Sequence, residues 1–510
     1  MDANKALEDL LGFALSKGLV EESDVPYCRN LLLDALQLDA PGDGYRLNGA
    51  PLEEAPETAG RFLSVLLEDA ALRKVIPDSA GSRELLSGRL MGCLTARPSE
   101  INRTFWQNYR EGGPRAATDW FYRLCRYNDY IHVDAIAQNQ ILREESAYGE
   151  LVITINLSKP EKDPRDIALA LQRPSAGYPP CMLCAENPGY AGRAGFPPRQ
   201  NHRIVPLELG GERWYLQYSP YLYYNEHCIV LCEKHRPMHI GRDSFARLFD
   251  FVERFPHYFI GSNADLPIVG GSILSHDHFQ GGNFVFPMTV APIKTPLKSP
   301  YAGVEAGILD WPVSTLRLRG ADRAALLDAA EDVLAAWRQY SDEQLDILCR
   351  TDAPHNTITP ILRKEGESFV FDLTLRNNRT TAEHPLGLFH PHADLHHIKR
   401  ENIGLIEVMG LFILPGRLKE ELAALELMLC GDRPANLDPD MPLYKHMDWF
   451  NALHKKHGVL SASQASQVIR RALGAKCQRV LEDAGVFKLD EAGQQGFLRF
   501  VQTLGYQRLS

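Results

Sequence analysis

Residues 265–282 read DLPIVGGSILSHDHFQGG, and this stretch decides how the rest of the chain is interpreted. Side chains alternate along a β-strand, so the H-x-H-x-Q pattern places His276, His278 and Gln280 on one face. Glycine pairs flank the pattern on both sides, and glycine is used where the backbone approaches a ligand closely or adopts a positive φ. The segment predicts a strand that presents two imidazoles and an amide to a phosphate held by backbone N–H groups.

His278 lies in the middle of this pattern and is the predicted nucleophile. A neutral imidazole whose other nitrogen is held as a donor can attack an activated phosphorus and form a covalent adduct. Gln280 has no titratable proton, so it cannot protonate an alcohol or amine leaving group and can only hydrogen-bond. A phosphate leaving group, with a second pKa of about 6, needs no such acid. The pattern favours displacement of a phosphate monoester from a diphosphate, and transfer over acid-assisted hydrolysis.

Cys181 and Cys184 form a close CxxC pair, and the run CEKHRPMH downstream contains His235 and His239. Two intervening residues allow both thiolates to bind one Zn²⁺, and two imidazoles would complete a tetrahedral site. A pair of buried thiols or a redox pair is the alternative, although no βαβ pattern surrounds the cysteines. We expect a structural metal site.

Two further groups of residues are candidates for binding phosphate or metal. The Gly- and Pro-rich segment 186–207 carries three arginines, whose forked side chains bind phosphate, and an asparagine that suits a base or ribose: Arg193, Arg199, Arg203 and Asn201. Solvated loop arginines are the alternative. Later in the chain His355, His390 and His392 suit a second metal or a substrate phosphate, or are ordinary loop and core histidines.

Composition excludes several classes of protein. The 510 residues are 45% apolar and 24% charged, as in ordinary globular proteins. With 55 Lys and Arg against 65 Asp and Glu, the formal charge is −10, which disfavours nucleic-acid binding. No segment approaches the roughly 18 uninterrupted apolar residues of a membrane helix. The N-terminus MDANKALEDLL lacks the features of a secretory signal, so we expect a cytoplasmic protein.

Hydrophobic spacing changes twice along the chain, and the strand-rich part between the two changes consists of two blocks. It predicts helices to about residue 140, strands punctuated by Gly and Pro after that, and helices again after Pro415. The alternating LVITINLS predicts a strand, and the spacing of apolar residues predicts a helix ending before Pro256. These changes divide the chain into a helical N-terminal region (1–145), two strand-rich regions (146–300 and 301–415) and a helical C-terminal region (416–510).

Residues 265–282 resemble the signature of the type II galactose-1-phosphate uridylyltransferases, also called UTP-hexose-1-phosphate uridylyltransferases, of the histidine-triad superfamily. The resemblance extends over most of the chain, through NEHCIVLCEKHRPM, PHNTITPI and HHIKRENIGLIEVMG. It implies an α+β fold in which the two strand-rich regions are histidine-triad-like antiparallel halves with helices packed on them. The first half would be catalytic, and helical regions would extend both ends.

The same resemblance implies a reaction and a set of site residues. The family exchanges UMP between UDP-glucose and galactose 1-phosphate by a ping-pong route in the Leloir pathway of galactose metabolism. By resemblance, His278 is uridylylated and Gln280 hydrogen-bonds the phosphate. The implied zinc ligands are Cys181, Cys184, His235 and His276, with His239 as the alternative third ligand, and a second metal would use His355, His390 and His392, for which we find no convincing fourth ligand.

The implied partners are UDP-glucose, UDP-galactose and hexose 1-phosphates, with no nucleic acid and no membrane, in a homodimer. Besides the arginine-rich segment, the predicted substrate contacts are Asn263, Asp265, Gly271, Ser272, Asn402 and Glu407. Two other functions remain open: a nucleotide hydrolase or phosphorylase of the same superfamily, and a zinc-stabilised nucleotide-binding scaffold without activity.

Overall fold

The computed structural model describes residues 2–158, 177–271, 273–432 and 438–509, which form an α+β fold as predicted. Its α-helices are α1 (Ala3–Ser16), α2 (Val25–Leu36), α3 (Gly60–Leu72), α4 (Ala80–Cys93), α5 (Pro98–Tyr127), α6 (Val133–Ile136), α7 (Arg242–Arg254), α8 (Pro287–Val290), α9 (Arg323–Trp337), α10 (Leu405–Val408), α11 (Leu418–Leu429), α12 (Met447–His457), α13 (Ala462–Ala484) and α14 (Glu491–Thr503). Its strands are β1 (Gln140–Ser146), β2 (Gly149–Asn156), β3 (Val205–Leu209), β4 (Glu212–Tyr218), β5 (Cys228–Cys232), β6 (Phe259–Gly261), β7 (His278–Gly282), β8 (Ile293–Lys298), β9 (Glu305–Leu309), β10 (Thr315–Gly320), β11 (Asn356–Glu365), β12 (Ser368–Asn377), β13 (Leu411–Pro415) and β14 (Gln507–Arg508).

Two compact units divide the chain, and each is assembled from separate segments. The first comprises Met1–Gln138, Ser158–Arg236 and His276–His278, and the second comprises Asn139–Leu157, Pro237–Ser275 and Phe279–Ser510. The four consecutive regions expected from the sequence remain a prediction. None of the helices in the described residues is both long and apolar enough to cross a membrane.

The first unit combines helices α1 to α6 with the antiparallel strands β3, β4 and β5. In α1 the Asp2 carboxylate caps the helix by accepting from the backbone N–H of Lys5, at 2.8 Å, and Gly18 follows it with a φ of 66°. Leu7 and Leu10 on its apolar face are buried. In β3 the alternate residues are buried, because a half-covered strand turns every second side chain to the core.

The second unit contains an antiparallel sheet in the order β14-β8-β9-β10-β12-β11-β6-β7. Helix α7 confirms the predicted helix before Pro256, and it packs Phe245 and Phe249 edge-on against Phe371, with ring centroids 5.4 and 5.6 Å apart. A smaller sheet joins β1 and β2 antiparallel and adds β13 parallel to β2.

Several local sequence signals are confirmed. The predicted LVITINLS strand is β2, but β1 precedes it and lies almost wholly inside the region 1–145 that was expected to be helical. Every residue of β1 is at least partly exposed, which leaves little apolar alternation to detect. The capping box at Ser461 and Gln464 begins α13, with Ser461 N–H donating to Gln464 Oε1 at 3.1 Å. The chain is not helical to its end, because β14 follows α14.

Candidate active site and metal cluster

The H-x-H-x-Q segment does not lie wholly on one strand. β7 begins at His278, so His276 sits in the bend before it, and the prediction that all three side chains alternate on a strand is wrong for His276. Backbone bonds at Asp277 explain the bend: its N–H donates to the Arg236 carbonyl at 2.7 Å, and its carbonyl accepts from Cys232 N–H at 3.0 Å. These bonds tie the bend to the end of β5.

The Asp277 side chain is buried and held by one arginine. Arg236 Nε lies 3.2 Å from Asp277 Oδ2, while the two Nη atoms of Arg236 donate to the Glu212 carboxylate at 2.9 and 2.7 Å. Charge-assisted bonds to both ends of a guanidinium fix its plane. The bend between His276 and His278 is therefore clamped by an Asp277–Arg236–Glu212 chain that the sequence did not reveal.

We expect the free energy of unfolding of the Arg236→Met variant to be lower than that of the wild type by about 2–3 kcal/mol, because the variant loses the ion pair between Arg236 and the buried Asp277 carboxylate. Methionine keeps the apolar stem that packs in this position. Lys234→Met is the matched control, since Lys234 is 71% exposed and only reaches the same Glu212 at 3.5 Å. Urea denaturation gives the free energy of unfolding of both variants. Equal values for Arg236→Met and Lys234→Met would contradict a stabilising role of the Asp277–Arg236–Glu212 chain.

His278 has the geometry of a nucleophile. Its Nδ1–H donates to the carbonyl oxygen of His276 at 2.8 Å, and the residue is 6% exposed. Burial lowers the pKa of His278 to about 4, opposed by that backbone hydrogen bond. The ring is therefore neutral at physiological pH, with its proton on Nδ1 and the lone pair on Nε2. Two residues on, Gln280 pairs with Gly261 of β6 through the backbone register of the sheet.

Four residues of the first unit form a cluster that could hold a metal ion, here called the Cys2His2 cluster: Cys181, Cys184, His235 and His276. Their ligand atoms all lie within 4.8 Å of one another. The two Sγ atoms are 3.5 Å apart, and Cys184 Sγ lies 3.1 Å from His235 Nδ1. Cys181 Sγ lies 3.2 Å from His276 Nδ1.

The donor set fits tetrahedral zinc. Zinc–sulfur bonds of about 2.3 Å and zinc–nitrogen bonds of about 2.0–2.1 Å put neighbouring ligand atoms about 3.5–3.8 Å apart. Four of the six separations, at 3.1 to 3.6 Å, need only a small expansion, and the other two, at no more than 4.8 Å, need a contraction of at most about 1 Å. His276 Nε2–H donates to the Cys232 carbonyl at 2.8 Å, which leaves Nδ1 as the ligand and orients the ring. His239 is not part of the cluster: it is 77% exposed, and its Nδ1 lies 3.8 Å from Asp265 Oδ2.

The second metal site expected from the resemblance is not formed. Among the described residues, the Cys2His2 cluster is the only metal-binding group found. His355 is held by Thr351 at 2.7 Å and Asn378 at 2.9 Å, and His390 Nδ1–H donates to the Pro391 carbonyl at 3.2 Å. His392 donates to the Leu388 carbonyl at 3.3 Å. Each ring has at least one nitrogen in a local hydrogen bond, and the three histidines do not form a metal-binding group among the described residues.

The arginines of segment 186–207 differ in what they contact. Arg203 donates to four backbone carbonyls, those of Thr95, Ala96, Gln200 and His202, at 2.6 to 2.9 Å, so its N–H groups are used in holding the loop. We therefore leave Arg203 out of the proposed substrate contacts. Arg193 donates to the Tyr178 carbonyl at 2.8 Å and to Tyr190 Oη at 2.6 Å.

Arg199 and Asn201 line a cavity of about 220 Å³ in the first unit, here called the Arg199 cavity. The sequence did not single out its other polar lining, because these residues belong to the helical N-terminal region and to the loop after β4, where no motif marks them. They include Ser87, Asp129, Tyr130, His132 and Tyr221.

Most of the remaining predicted contacts hold loops of the second unit together. Asn263 Oδ1 accepts from Leu405 N–H at 2.8 Å, and a Cβ on Gly271 would lie 2.7 Å from Asn263 Nδ2, which explains the glycine. Asp265 accepts from Ile240 N–H at 2.9 Å and from Thr357 Oγ1 at 2.5 Å. Their contact with substrate stays a prediction, and Ser272 lies outside the described residues.

The two predicted sugar contacts are also engaged within the second unit. Glu407 pairs with the buried Lys399, Oε1 to Nζ 2.9 Å, and its other oxygen accepts from Gly404 N–H at 3.2 Å. Asn402 Nδ2 donates weakly to the Gly270 carbonyl at 3.4 Å. Asn402 is thus the less constrained of the two, and both stay predictions as substrate contacts.

Comparison with known proteins identifies the family. The family model described as the N-terminal domain of galactose-1-phosphate uridyl transferase matches residues 68–237, and the C-terminal domain model matches residues 251–449. The galactose-1-phosphate uridylyltransferase of Caldanaerobacter subterraneus subsp. tengcongensis is 49% identical over 521 residues, covering 100% of this chain and 99% of the relative. That of Halalkalibacterium halodurans is 49% identical over 505 residues, covering 98% of each chain.

One solved structure, yeast Ap4A phosphorylase Apa2, aligns with 58% of this chain and 89% of its own at 12% identity, and the TM-score of 0.30 is too low to argue from. The sequence relationships by contrast span both domain models and the full length of the relatives. The resemblance seen at residues 265–282 is therefore confirmed, and this chain belongs to the galactose-1-phosphate uridylyltransferase family of enzymes.

Proposed function

We propose that this protein transfers UMP from UDP-glucose to galactose 1-phosphate, giving glucose 1-phosphate and UDP-galactose, as in the Leloir pathway. The observation that carries the proposal is the buried, neutral His278, whose Nδ1–H is bound to the His276 carbonyl and whose Nε2 is left as the nucleophile. The names of the full-length relatives support the same substrates.

The reaction proceeds in two displacements at the α-phosphorus of the nucleotide. In the first, His278 Nε2 forms a P–N bond, the bond from phosphorus to the bridging oxygen breaks, and glucose 1-phosphate leaves with that electron pair. In the second, a phosphate oxygen of galactose 1-phosphate attacks the same phosphorus and the P–N bond breaks. Gln280 hydrogen-bonds the phosphate and supplies no proton, which a phosphate leaving group does not require.

Zinc bound to the Cys2His2 cluster would act as a structural cross-link without a role in bond making. The cluster uses His276 as a ligand, and the carbonyl of the same residue holds His278 Nδ1–H at 2.8 Å. Ordering His276 therefore orients the nucleophile and keeps its tautomer. This arrangement explains why an H-x-H pair serves both the metal and the chemistry.

The proposed substrate contacts begin with Arg199, Asn201 and Arg193. Arg199 is buried and makes no ion pair with any carboxylate among the described residues, so its charge is available to a phosphate. In the described part of the chain, Arg193 donates hydrogen bonds to neutral oxygens of Tyr178 and Tyr190 and lies over the rings of Tyr190 and Phe196, and no ion pair with a carboxylate is formed there. We further propose a homodimer, the commonest symmetric assembly, working in the cytoplasm, where a reducing environment keeps cysteine thiols available to bind zinc.

The test is the intact mass of the protein after incubation with UDP-glucose and no acceptor. We expect a gain of one UMP, which galactose 1-phosphate then removes as UDP-galactose. Steady release of free UMP would instead identify a hydrolase. Removal of the UMP by inorganic phosphate, with galactose 1-phosphate inert, would identify a phosphorylase. Tight nucleotide binding without an adduct would leave only the zinc-stabilised scaffold.

A further inference from the structure

The Arg199 cavity contains a buried cation that forms no ion pair with a carboxylate of the described residues, although Glu84 and Asp129 also line the cavity. Arg199 is 8% exposed, and its Nε has no hydrogen-bond partner among the described residues. Its other side-chain contacts are Tyr130 Oη at 3.4 Å, Met182 Sδ at 3.9 Å and the face of the Tyr130 ring, whose centroid lies 5.7 Å from Cζ. A buried guanidinium with so few hydrogen bonds lowers the stability of the protein unless a ligand accepts hydrogen bonds from it. Because Met182 lies between Cys181 and Cys184, the cavity adjoins the Cys2His2 cluster.

The walls of the cavity suit a flat ring. Tyr130, His132 and Tyr221 all line it, and the His132 and Tyr221 rings lie 5.4 Å apart. The Tyr130 ring already stacks on His202, with centroids 4.5 Å apart, so His132 and Tyr221 are the rings on which a nucleic-acid base would stack. At about 220 Å³, the cavity is smaller than the roughly 300–1,000 Å³ of sites for drug-sized ligands. It therefore has room for a single ring system and not for a whole sugar nucleotide.

Asp129 lines the same cavity from a rigid turn after α5. Its φ is 57°, a left-handed conformation that few residues other than Gly, Asn and Asp adopt. The neighbouring Asn128 fixes the turn, because its side-chain amide donates to the Asn201 carbonyl at 2.7 Å and its own carbonyl accepts from Asn201 Nδ2 at 2.9 Å. Asn128 Oδ1 also accepts from Tyr130 N–H at 3.1 Å. The position of Asp129 is thus set by buried contacts on both sides.

The Asp129 carboxylate is almost without partners. Its one recorded side-chain bond is from Ser87 Oγ to Oδ2, at 3.4 Å, and Oδ1 has none among the described residues. Burial, with a smaller effect of Asp134, raises the pKa of Asp129 to about 7. The Asp129 carboxylate is a hydrogen-bond acceptor that is held in place in a small aromatic cavity and receives few hydrogen bonds from the protein. It can therefore accept a hydrogen bond from an N–H group of a ligand.

We propose that the Arg199 cavity takes the uracil ring of the UMP donor and that Asp129 accepts the N3–H of that ring, selecting uracil over cytosine. This inference rests on the proposed function. Uracil carries a proton on N3, whereas cytosine presents a lone pair there, which repels an ionised carboxylate. Because the pKa of Asp129 is raised to about 7, the donors are compared above that pH, where the carboxylate is mainly ionised. Asp129 is a specificity residue that contacts substrate and takes no part in bond making.

The experiment compares UDP-glucose and CDP-glucose as donors, with galactose 1-phosphate as acceptor, in the wild type and in Asp129→Asn. Asparagine tolerates the left-handed turn, and its amide can donate to cytosine N3 or accept from uracil N3–H. We expect the preference for UDP-glucose, measured as kcat/KM for UDP-glucose divided by kcat/KM for CDP-glucose, to be about tenfold or more lower in Asp129→Asn than in the wild type. A residue that only supported the fold would lower both values equally and leave the ratio unchanged.

The matched control is Asp134→Asn. Asp134 contributes negative charge next to Asp129, but it accepts a hydrogen bond from Thr58 at 2.9 Å and does not line the cavity. Its donor ratio should match that of the wild type. An unchanged ratio in Asp129→Asn, with an active wild type, would overturn the inference and leave the proposed function intact. A wild type that forms no adduct from UDP-glucose would instead refute the proposed function.

A second measurement needs no variant and covers the case in which Asp129→Asn does not fold. Wild-type protein is titrated with UMP and with N3-methyl-UMP, which lacks the proton that Asp129 would accept and adds a methyl group there. We expect the dissociation constant to rise by about tenfold or more for the methylated nucleotide. Equal affinities would show that nothing in the cavity reads N3 and would overturn the inference.

Discussion

The His278→Asn variant is expected to lose UMP exchange by on the order of 10⁴-fold or more, because no other group in the proposed mechanism can form the covalent intermediate. Asparagine has no ring nitrogen with a lone pair, yet its amide can still donate to the His276 carbonyl that now holds His278 Nδ1–H. The bend and strand β7 should therefore persist. Exchange of radiolabelled glucose 1-phosphate into UDP-glucose measures the loss, and intact mass should show no adduct.

The matched control for this variant is His457→Asn, since His457 is an exposed histidine on α12. Its exchange rate should equal that of the wild type. A thermal melt separates loss of chemistry from loss of fold, and we expect the His278→Asn melt to stay close to that of the wild type. Turnover at the wild-type rate in a folded His278→Asn protein would refute the covalent mechanism, whatever the identity of the substrates.

The Cys184→Ser variant should lose bound zinc and at least about 3 kcal/mol of the free energy of unfolding. Cys184 is buried, and its Sγ lies within 3.6 Å of Cys181 Sγ, His235 Nδ1 and His276 Nδ1, so the substitution removes one of the four zinc ligands. Serine is a much poorer zinc ligand than a thiolate. Elemental analysis gives the metal content, and thermal melts with and without chelator give the stability. Activity should fall too, because His276 no longer orients His278.

Cys430→Ser is the control, since Cys430 is a half-buried free cysteine outside the cluster. It should keep its metal and its melting temperature. Chelator should lower the melting temperature of the wild type and of Cys430→Ser, but it should have little effect on Cys184→Ser, which has no zinc to lose. A wild type purified without metal, with a melting temperature that neither zinc nor chelator shifts, would refute the zinc assignment.

Two residues that the sequence marked as site candidates are already engaged by neighbours in the fold. Arg203 has the residue type and loop context of a phosphate ligand, but the fold uses its N–H groups on four carbonyls. His355 matches a ligand of the second metal site, but Thr351 and Asn378 engage it. Sequence shows that a side chain is able to bind a ligand. It does not show whether a neighbour, distant in sequence, has already taken that capacity.

The sequence alone was enough to predict elements such as α7 and to propose the chemistry, because both depend on local properties. Periodicity located helices such as α7, and the proton inventory of His278 and Gln280 indicated phosphoryl transfer without an acid. Tertiary structure decided which residues meet. Cys181 and His276 are 95 residues apart in sequence, yet their ligand atoms lie 3.2 Å apart. Asp129 enters a cavity through a turn held by the distant Asn201. Contacts between residues so far apart in sequence depend on long-range packing, which no local sequence pattern shows.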